Sequence, residues 1–198
     1  DKKFPVALIR AAGYTAEFLG EKSYNGVAFL SKHPISNVQK NFPDDDEEAP
    51  KRFIAADIEG IRVVNVYVPQ GTKLWTEKYE FKLEWINRLR TYFDMNCPRE
   101  SDVVLCGDLN VAPNELDVWN AARLNGKIHF SGPERAAIDH VMEWGFTDVY
   151  RMLNPAQKEF SWWDKKTNAF PKDHGLRIDH IWASEDFADR TAKAWIDK

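Results

Sequence analysis

An α+β fold of four layers, a four-layered α/β sandwich of two mixed β-sheets flanked by helices, follows from three observations. Strand-like runs outnumber helical ones, one pair of strands is joined by a two-residue hairpin turn, and the helical segments fall between strands. A single domain over residues 1–198 is the economical reading, since no internal repeat and no long flexible linker interrupts the series. With 43% hydrophobic residues, eight Trp and twelve Phe, core material is ample.

Residues 4–12 have helical spacing closed by Gly13, and residues 24–31 read as a strand ended by His33-Pro34. Two strands, 52–58 and 61–68, are separated by Glu59-Gly60, a hairpin signal with β-branched residues on both sides. Over residues 76–93, Tyr79, Leu83, Ile86, Leu89 and Phe93 recur at three- and four-residue spacing and predict an amphipathic helix covering a sheet face. Residues 102–106 form a short continuous apolar run, suited to a strand buried on both sides. A second amphipathic helix is expected at 136–144, stopped by Gly145, with strands at 177–183 and 191–196 closing the series.

Composition narrows the function classes. No apolar run approaches the length of a membrane span, and the opening residues lack a signal peptide's apolar stretch, so the expectation is a soluble, cytoplasmic protein with no membrane partner. Cys97 and Cys106 have neither CxxC spacing nor a neighbouring His, which argues against zinc; Cys106 reads as a buried strand residue and Cys97 as a helix-end or loop residue. Net charge is −4, from 27 basic and 31 acidic residues. A nucleic-acid partner would therefore have to be held by a local basic face and bound metal. The acidic stretch at 43–48 reads as solvated surface.

The densest chemical signal is Val103-Val104-Leu105-Cys106-Gly107-Asp108-Leu109-Asn110. A buried strand here delivers a carboxylate and a carboxamide two residues apart, hence on one face. Asp108 and Asn110 offer oxygen ligands for a hard cation and an amide donor for a phosphate or an attacking water. Gly-Asp-x-Asn is equally good turn chemistry, and the segment alone supports either reading. Asp179 lies in the apolar run Arg177-Ile178-Asp179-His180-Ile181-Trp182, where an acid is costly unless paired or metal-bound. Alternation places it on a face with Arg177 and Ile181, so an Arg177–Asp179 ion pair is the plainer alternative. Asp179-His180 is not a catalytic dyad, because adjacent strand residues face opposite ways. His140 and His180 are assigned to surface or supporting roles, and His33, His129 and His174 to turns. Tyr67, at the end of a strand running into Pro69-Gln70-Gly71, can donate to a phosphate or leaving group, and Gln70 can bond a sugar or base; a half-buried strand Tyr before an ordinary turn fits as well. Trp162-Trp163 before Lys165-Lys166 suits stacking on bases or on an abasic gap, with core filling as the default.

In order along the chain stand Tyr24-Asn25-Gly26-Val27-Ala28, Asn65-Val66-Tyr67-Val68-Pro69-Gln70-Gly71, Gly107-Asp108-Leu109-Asn110, Ser161-Trp162-Trp163-Asp164 and Gly175-Leu176-Arg177-Ile178-Asp179. This series resembles the exonuclease III family of apurinic/apyrimidinic endonucleases, in the endonuclease/exonuclease/phosphatase superfamily. The resemblance runs nearly the whole chain. It implies a four-layered sandwich and Mg²⁺-assisted hydrolysis, with Mn²⁺ as a substitute, of the DNA phosphodiester 5′ to an abasic site. It also implies 3′-exonuclease and 3′-phosphatase activities on double-stranded DNA with abasic sites or 3′ ends, in a monomer. Asp108 would orient or deprotonate the attacking water, Asn110 would hold the scissile phosphate, and Tyr67 would contact the phosphate or assist the leaving group. Asp108, Asn110 and Asp179 would be the metal-side residues. Asn25, Gln70 and Arg177 would touch DNA, and Trp162 would line the pocket for the abasic sugar.

Two segments of the family pattern have no counterpart in these residues: a Gln-Glu-Thr-Lys segment whose Glu is the principal metal ligand, and a Ser-Asp-His-x-Pro segment that supplies a catalytic His. The fold is accordingly expected to be incomplete at both termini, with unpaired sheet edges, exposed apolar faces and a tendency to aggregate. Without the Glu and a His typically worth about 10²–10⁴-fold, the 198 residues are expected to cleave poorly or not at all. Two other readings are a phosphodiesterase of another branch, acting on RNA or on lipid or inositol phosphates, and a DNA-binding fold without chemistry. The Pro-Gln-Gly turn and the Ser-Trp-Trp-Asp segment favour the DNA branch over the first, and the intact Asp108, Asn110 and Asp179 argue against the second.

Overall fold

A computed structural model describes residues 4–22 and 25–197. The first half of the chain is α1 (Val6–Ala11), β1 (Thr15–Gly20), β2 (Gly26–Ser31), β3 (Ile35–Lys40), β4 (Phe53–Ile58), β5 (Ile61–Tyr67) and α2 (Glu77–Asn96). The second half is β6 (Val103–Asp108), α3 (Ala121–Leu124), α4 (Gly132–Met142), β7 (Phe146–Asp148), α5 (Val149–Leu153), β8 (Trp162–Trp163), β9 (Gly175–Leu176), β10 (Asp179–Ser184) and α6 (Glu185–Ala188). The expected start of a strand at Tyr24 lies outside the described residues.

Six strands form one sheet in the order β3-β4-β5-β6-β10-β7. It is mixed: β5 and β6 run parallel, joined across α2, and every other neighbouring pair is antiparallel. Glu59-Gly60 makes the β4–β5 turn with φ of 53° and 80°, both positive as a type I′ hairpin requires. Alternation sends Phe53, Ala55, Val64, Val66, Val103 and Leu105 to one face, where Trp85, Ile86, Leu89 and Phe93 of α2 and Ile138 and Val141 of α4 close the main core. Ile54 and Ala56 point the other way, against Val27 and Phe29 of the antiparallel β1–β2 hairpin. α1 lies outside that hairpin, and Phe4 just before it stacks on Phe18 at 4.1 Å. The layers therefore run helices, mixed sheet, hairpin, helix, the second β layer being a two-stranded antiparallel one among the described residues.

Three expectations change. Residues 191–196 form no strand: both sides of β10 are taken by β6 and β7, so no edge there is open to them. The strand expected at 177–183 starts two residues later, at Asp179, with Arg177 and Ile178 in the bend between β9 and β10. The helix expected at 136–144 begins earlier, at Gly132, because Ser131 and Glu134 form a reciprocal capping box. An open groove of about 800 Å³ crosses the second face of β6 and β10, lined by Val104, Cys106, Ile181 and Ala183 with Phe187 and Trp195. Ile181 is 56% exposed there.

Candidate active site

The β5, β6 and β10 strands place three polar side chains side by side. Tyr67 is in register with Asp108, and Asp108 with Asp179. In each strand these residues share the parity of those facing away from the main core, so all three emerge on the hairpin side at one end of the sheet. Gly107 permits the close approach: at φ 116° a Cβ there would sit 2.1 Å from the Val66 carbonyl and 2.7 Å from Asn65 Oδ1. Asn65 in turn donates to the Ala28 carbonyl at 3.0 Å, tying the site to the hairpin.

Beyond Asp108 the chain turns back on itself. Asn110, at φ 52°, gives its backbone N–H to Asp108 Oδ1 at 2.8 Å and its side-chain Nδ2 to Asp108 Oδ2 at 3.0 Å and to the Val68 carbonyl at 2.8 Å. Both oxygens of Asp108 are thus oriented by neutral donors. Burial and the neighbouring charge of Asp179 push the Asp108 carboxyl up to about 7, against the pull of the Asn110 N–H, Lys82 and Arg52. Asp179 is exposed, and its backbone N–H, with that of Ile178, is held by Ser161 Oγ at 3.1 and 3.2 Å.

Arg52 caps Tyr67, its guanidinium 4.5 Å from the ring centroid and bonded to the Tyr67 carbonyl at 3.1 Å. Asn25 and Gln70 come together in a cavity of about 280 Å³ that Arg52 and Lys78 also line, giving this rim a local basic character. Trp162 is 36% exposed, its ring 5.8 Å from that of His129. Arg177, expected at the DNA, is fully buried: Nε bonds Asp117 Oδ1 at 2.7 Å, and Nη1 and Nη2 bond the two oxygens of Asp148 at 3.2 and 2.7 Å. Turned inward by the bend, it neither shares the face of Asp179 nor pairs with it. His180 is likewise buried, its Nε2 donating to the Val111 carbonyl at 3.1 Å and its Nδ1 accepting from Arg177 at 3.1 Å.

Sequence reasoning missed a buried polar group beneath the Asp108–Asn110 turn. Lys82 of α2 and Glu134 of α4 are both fully buried and joined by an ion pair of 2.5 Å. Lys82 also donates to the Asn110 carbonyl at 2.8 Å, as does His129 Nδ1 at 2.7 Å. Burial pulls the Lys82 ammonium down, with Glu134 and Asp108 drawing it back; burial and Lys82 lower His129 to about 4, consistent with a neutral ring protonated on Nδ1. Two signals were available: a lysine inside the apolar stripe of α2, which demands a partner, and the Ser131-x-x-Glu134 capping pattern. The thiols of Cys97 and Cys106 are raised by burial to about 11 and about 12.

Known proteins carry the same scaffold. Residues 3–198 match the Endonuclease/Exonuclease/phosphatase family. Exodeoxyribonuclease III of Haemophilus influenzae is 34% identical over 202 residues, covering 96% of this chain and 76% of that protein. An AP endonuclease from Archaeoglobus fulgidus superposes with a TM-score of 0.91 at 35% identity, covering 98% of this chain and 75% of that one. A Neisseria 3′ phosphatase solved with a product DNA hairpin gives a TM-score of 0.93 at 32% identity, with the same coverage of 98% and 75%. Agreement in sequence and in backbone over nearly the whole length leaves one conclusion: this chain belongs to the endonuclease/exonuclease/phosphatase family.

Proposed function

We propose that the chain is a hydrolase of DNA phosphodiester bonds, cutting at abasic sites and removing nucleotides or phosphate from 3′ ends, with Mg²⁺ or Mn²⁺ as cofactor. The observation that carries this reading is the strand register that sets Asp108 beside Tyr67 and Asp179, with both Asp108 oxygens oriented by Asn110. Relatives named exodeoxyribonuclease III and AP endonuclease, and a 3′ phosphatase solved with product DNA, support the substrate class.

Oriented by Asn110, the Asp108 carboxylate is placed to take a proton from water as its oxygen attacks phosphorus. The new P–O bond forms as the bond from phosphorus to the 3′ oxygen breaks, and Tyr67, on the adjacent strand, is placed to donate to the phosphate or to the departing oxygen. Asn110 keeps Asp108 in place; its amide nitrogen is already engaged by Asp108 and the Val68 carbonyl. Asn25, Gln70, Arg52 and Lys78 offer a donor-rich rim for the DNA backbone, and Trp162 an exposed ring beside Lys165 and Lys166 for the abasic gap.

The donor set fits a hard divalent cation. Two neighbouring carboxylates, one of them pushed up by burial and by the other's charge, are what such an ion relieves. Mg²⁺ commonly takes one or two carboxylates and completes its shell with water and phosphate oxygens. Asp108 and Asp179 would hold it, and when bound it supplies charge stabilisation to the phosphoryl oxygens. No helix among the described residues is long and apolar enough to cross a membrane. A cytoplasmic monomer is proposed with this activity.

These 198 residues contain no counterpart of the family's Gln-Glu-Thr-Lys and Ser-Asp-His-x-Pro segments, so cleavage by them alone is expected to be slow. The test is a labelled duplex with one abasic site, incubated with excess protein in Mg²⁺, Mn²⁺ or EDTA. The expected result is a slow, metal-dependent cut 5′ to the abasic site that Asp108→Asn abolishes. Faster phosphate release from inositol or lipid phosphates, or DNA bound and never cut even when a large excess of protein is used, would overturn the reading.

A further inference from the structure

We propose that His129 and Lys82 clamp the Asn110 carbonyl and thereby fix the orientation of the Asp108 carboxylate, making both of them positioning residues for hydrolysis. This rests on the reading of Asp108 as the group that activates water.

Asn110 faces two ways. Toward the site its N–H and Nδ2 hold the two oxygens of Asp108. Its carbonyl points into the core and accepts two donors, Lys82 Nζ at 2.8 Å and His129 Nδ1 at 2.7 Å, which fills both lone pairs of a peptide oxygen. The residue sits at φ 52°, in the left-handed region, which Asn adopts more readily than most side chains. The two donors are themselves fixed by one carboxylate: Glu134 Oε1 accepts from Lys82 and from the His129 backbone N–H at 3.0 Å. Oε2 accepts from Ser131 N at 3.0 Å and Ser131 Oγ at 2.6 Å, and Tyr79 OH, 2.6 Å away, donates to that hydroxyl in turn. The result is one continuous unit from the start of α4 to Asp108, with every member buried except Asp108, which is half-buried. Outer supports of this kind hold a reacting group to within a fraction of an ångström.

His129 is the informative position, because Lys82 and Glu134 cannot be parted without leaving a bare buried charge. His129→Ala removes one of two donors and leaves the other in place. In His129→Asn, the side-chain NH₂ stands the same number of bonds from the backbone as Nδ1 and can restore the donor; in His129→Gln it stands one bond too far. Three quantities are compared on the unsubstituted protein and the variants: kcat and KM on an abasic duplex, duplex affinity in EDTA by fluorescence anisotropy, and hydrogen exchange of the Asn110 amide.

For His129→Ala the expected result is a kcat lower by about 10–100-fold, the usual size for outer supports of a site, with KM and affinity unchanged and faster exchange at Asn110. His129→Asn recovers most of the loss and His129→Gln does not. The proposal is overturned if Asn is no better than Ala, or if exchange at Asn110 does not change. It is also overturned if KM rises while kcat is kept, which would mean that His129 acts through Gln70, whose Nε2 is 3.5 Å from its Nε2. If the unsubstituted protein never cuts abasic DNA, the functional reading fails, while the exchange comparison still decides whether the clamp exists.

Discussion

Asp108, half-buried, and Asp148, buried, are carboxylates on strands of the same sheet, either side of β10, and they settle their charge in opposite ways. Asp148 meets a guanidinium fork, with Arg177 bonding both of its oxygens and His180 close by. Burial would raise its pKa, but His180 and Arg177 more than offset that and hold it well below the usual carboxylate range. Asp108 meets neutral amides and a second carboxylate, and its pKa rises to about 7. The Asp148 network spends its charge on holding the bend between β9 and β10. The Asp108 network keeps an under-compensated carboxyl at the sheet's end, ready to exchange a proton or to take a cation. Burial raises both carboxyls; the opposite outcomes come from the partners.

The largest expected effect comes from breaking the saturated network. Arg177→Met keeps the bulk but strands Asp117 and Asp148, whose other partners include Arg151, through a 2.7 Å pair to Asp117 and a backbone N–H donated to Asp148 Oδ1 at 3.0 Å. A loss of about 3–5 kcal/mol in urea unfolding is expected. A loss below about 1 kcal/mol would mean that the pairing is no stronger than a surface bridge.

Asp108→Asn should move stability the other way. The folded pKa of Asp108 lies above the ordinary 3.8, so the protonated form is the one the fold prefers. Stability from this group is therefore full below the ordinary value and lost as pH rises from there through about 7. In EDTA near pH 8, Asp108→Asn is expected to gain roughly 2–4 kcal/mol while cleavage disappears. Asp148 gives the mirror image: its pKa is depressed, so its contribution is present above the ordinary carboxylate value and is lost on acidification. Melting curves over a pH series separate the two. The neutral limb should vanish in Asp108→Asn and the acid limb in Asp148→Asn; a neutral limb that survives Asp108→Asn would assign the raised pKa elsewhere.

What the sequence made legible follows the same division. Tyr67, Asp108 and Asp179 could each be singled out at a strand end or within a strand because those signals are local; that the three lie side by side is set by the register of β5, β6 and β10. Arg177 could not, since alternation assumes an unbroken strand and its partners Asp117 and Asp148 stand 60 and 29 positions away. Residues 191–196 had strand composition, but composition does not say whether an edge is available. Lys82 inside the apolar stripe of α2 signalled that a partner was needed but not which one: Glu134 stands 52 positions on. Buried ion pairs between distant elements are set by topology, which periodicity within one element does not contain.

The two buried histidines give the smallest and sharpest comparison. His180 bridges Arg177 and the Val111 carbonyl inside the saturated network, whereas His129 bonds the Asn110 carbonyl beneath the site. His180→Ala leaves a buried carbonyl and one guanidinium N–H with fewer partners, a cost of about 1–3 kcal/mol. Assayed well below its melting temperature, it should cleave abasic DNA at the unsubstituted rate, because none of its bonds reaches Asp108 or Asn110. His129→Ala should show the reverse, a slower cut with little change in melting. Equal loss of stability and of rate in both variants would merge the two networks into one structural unit, and the distinction between a carboxylate that holds the fold and one that does chemistry would then rest on Asp108 alone.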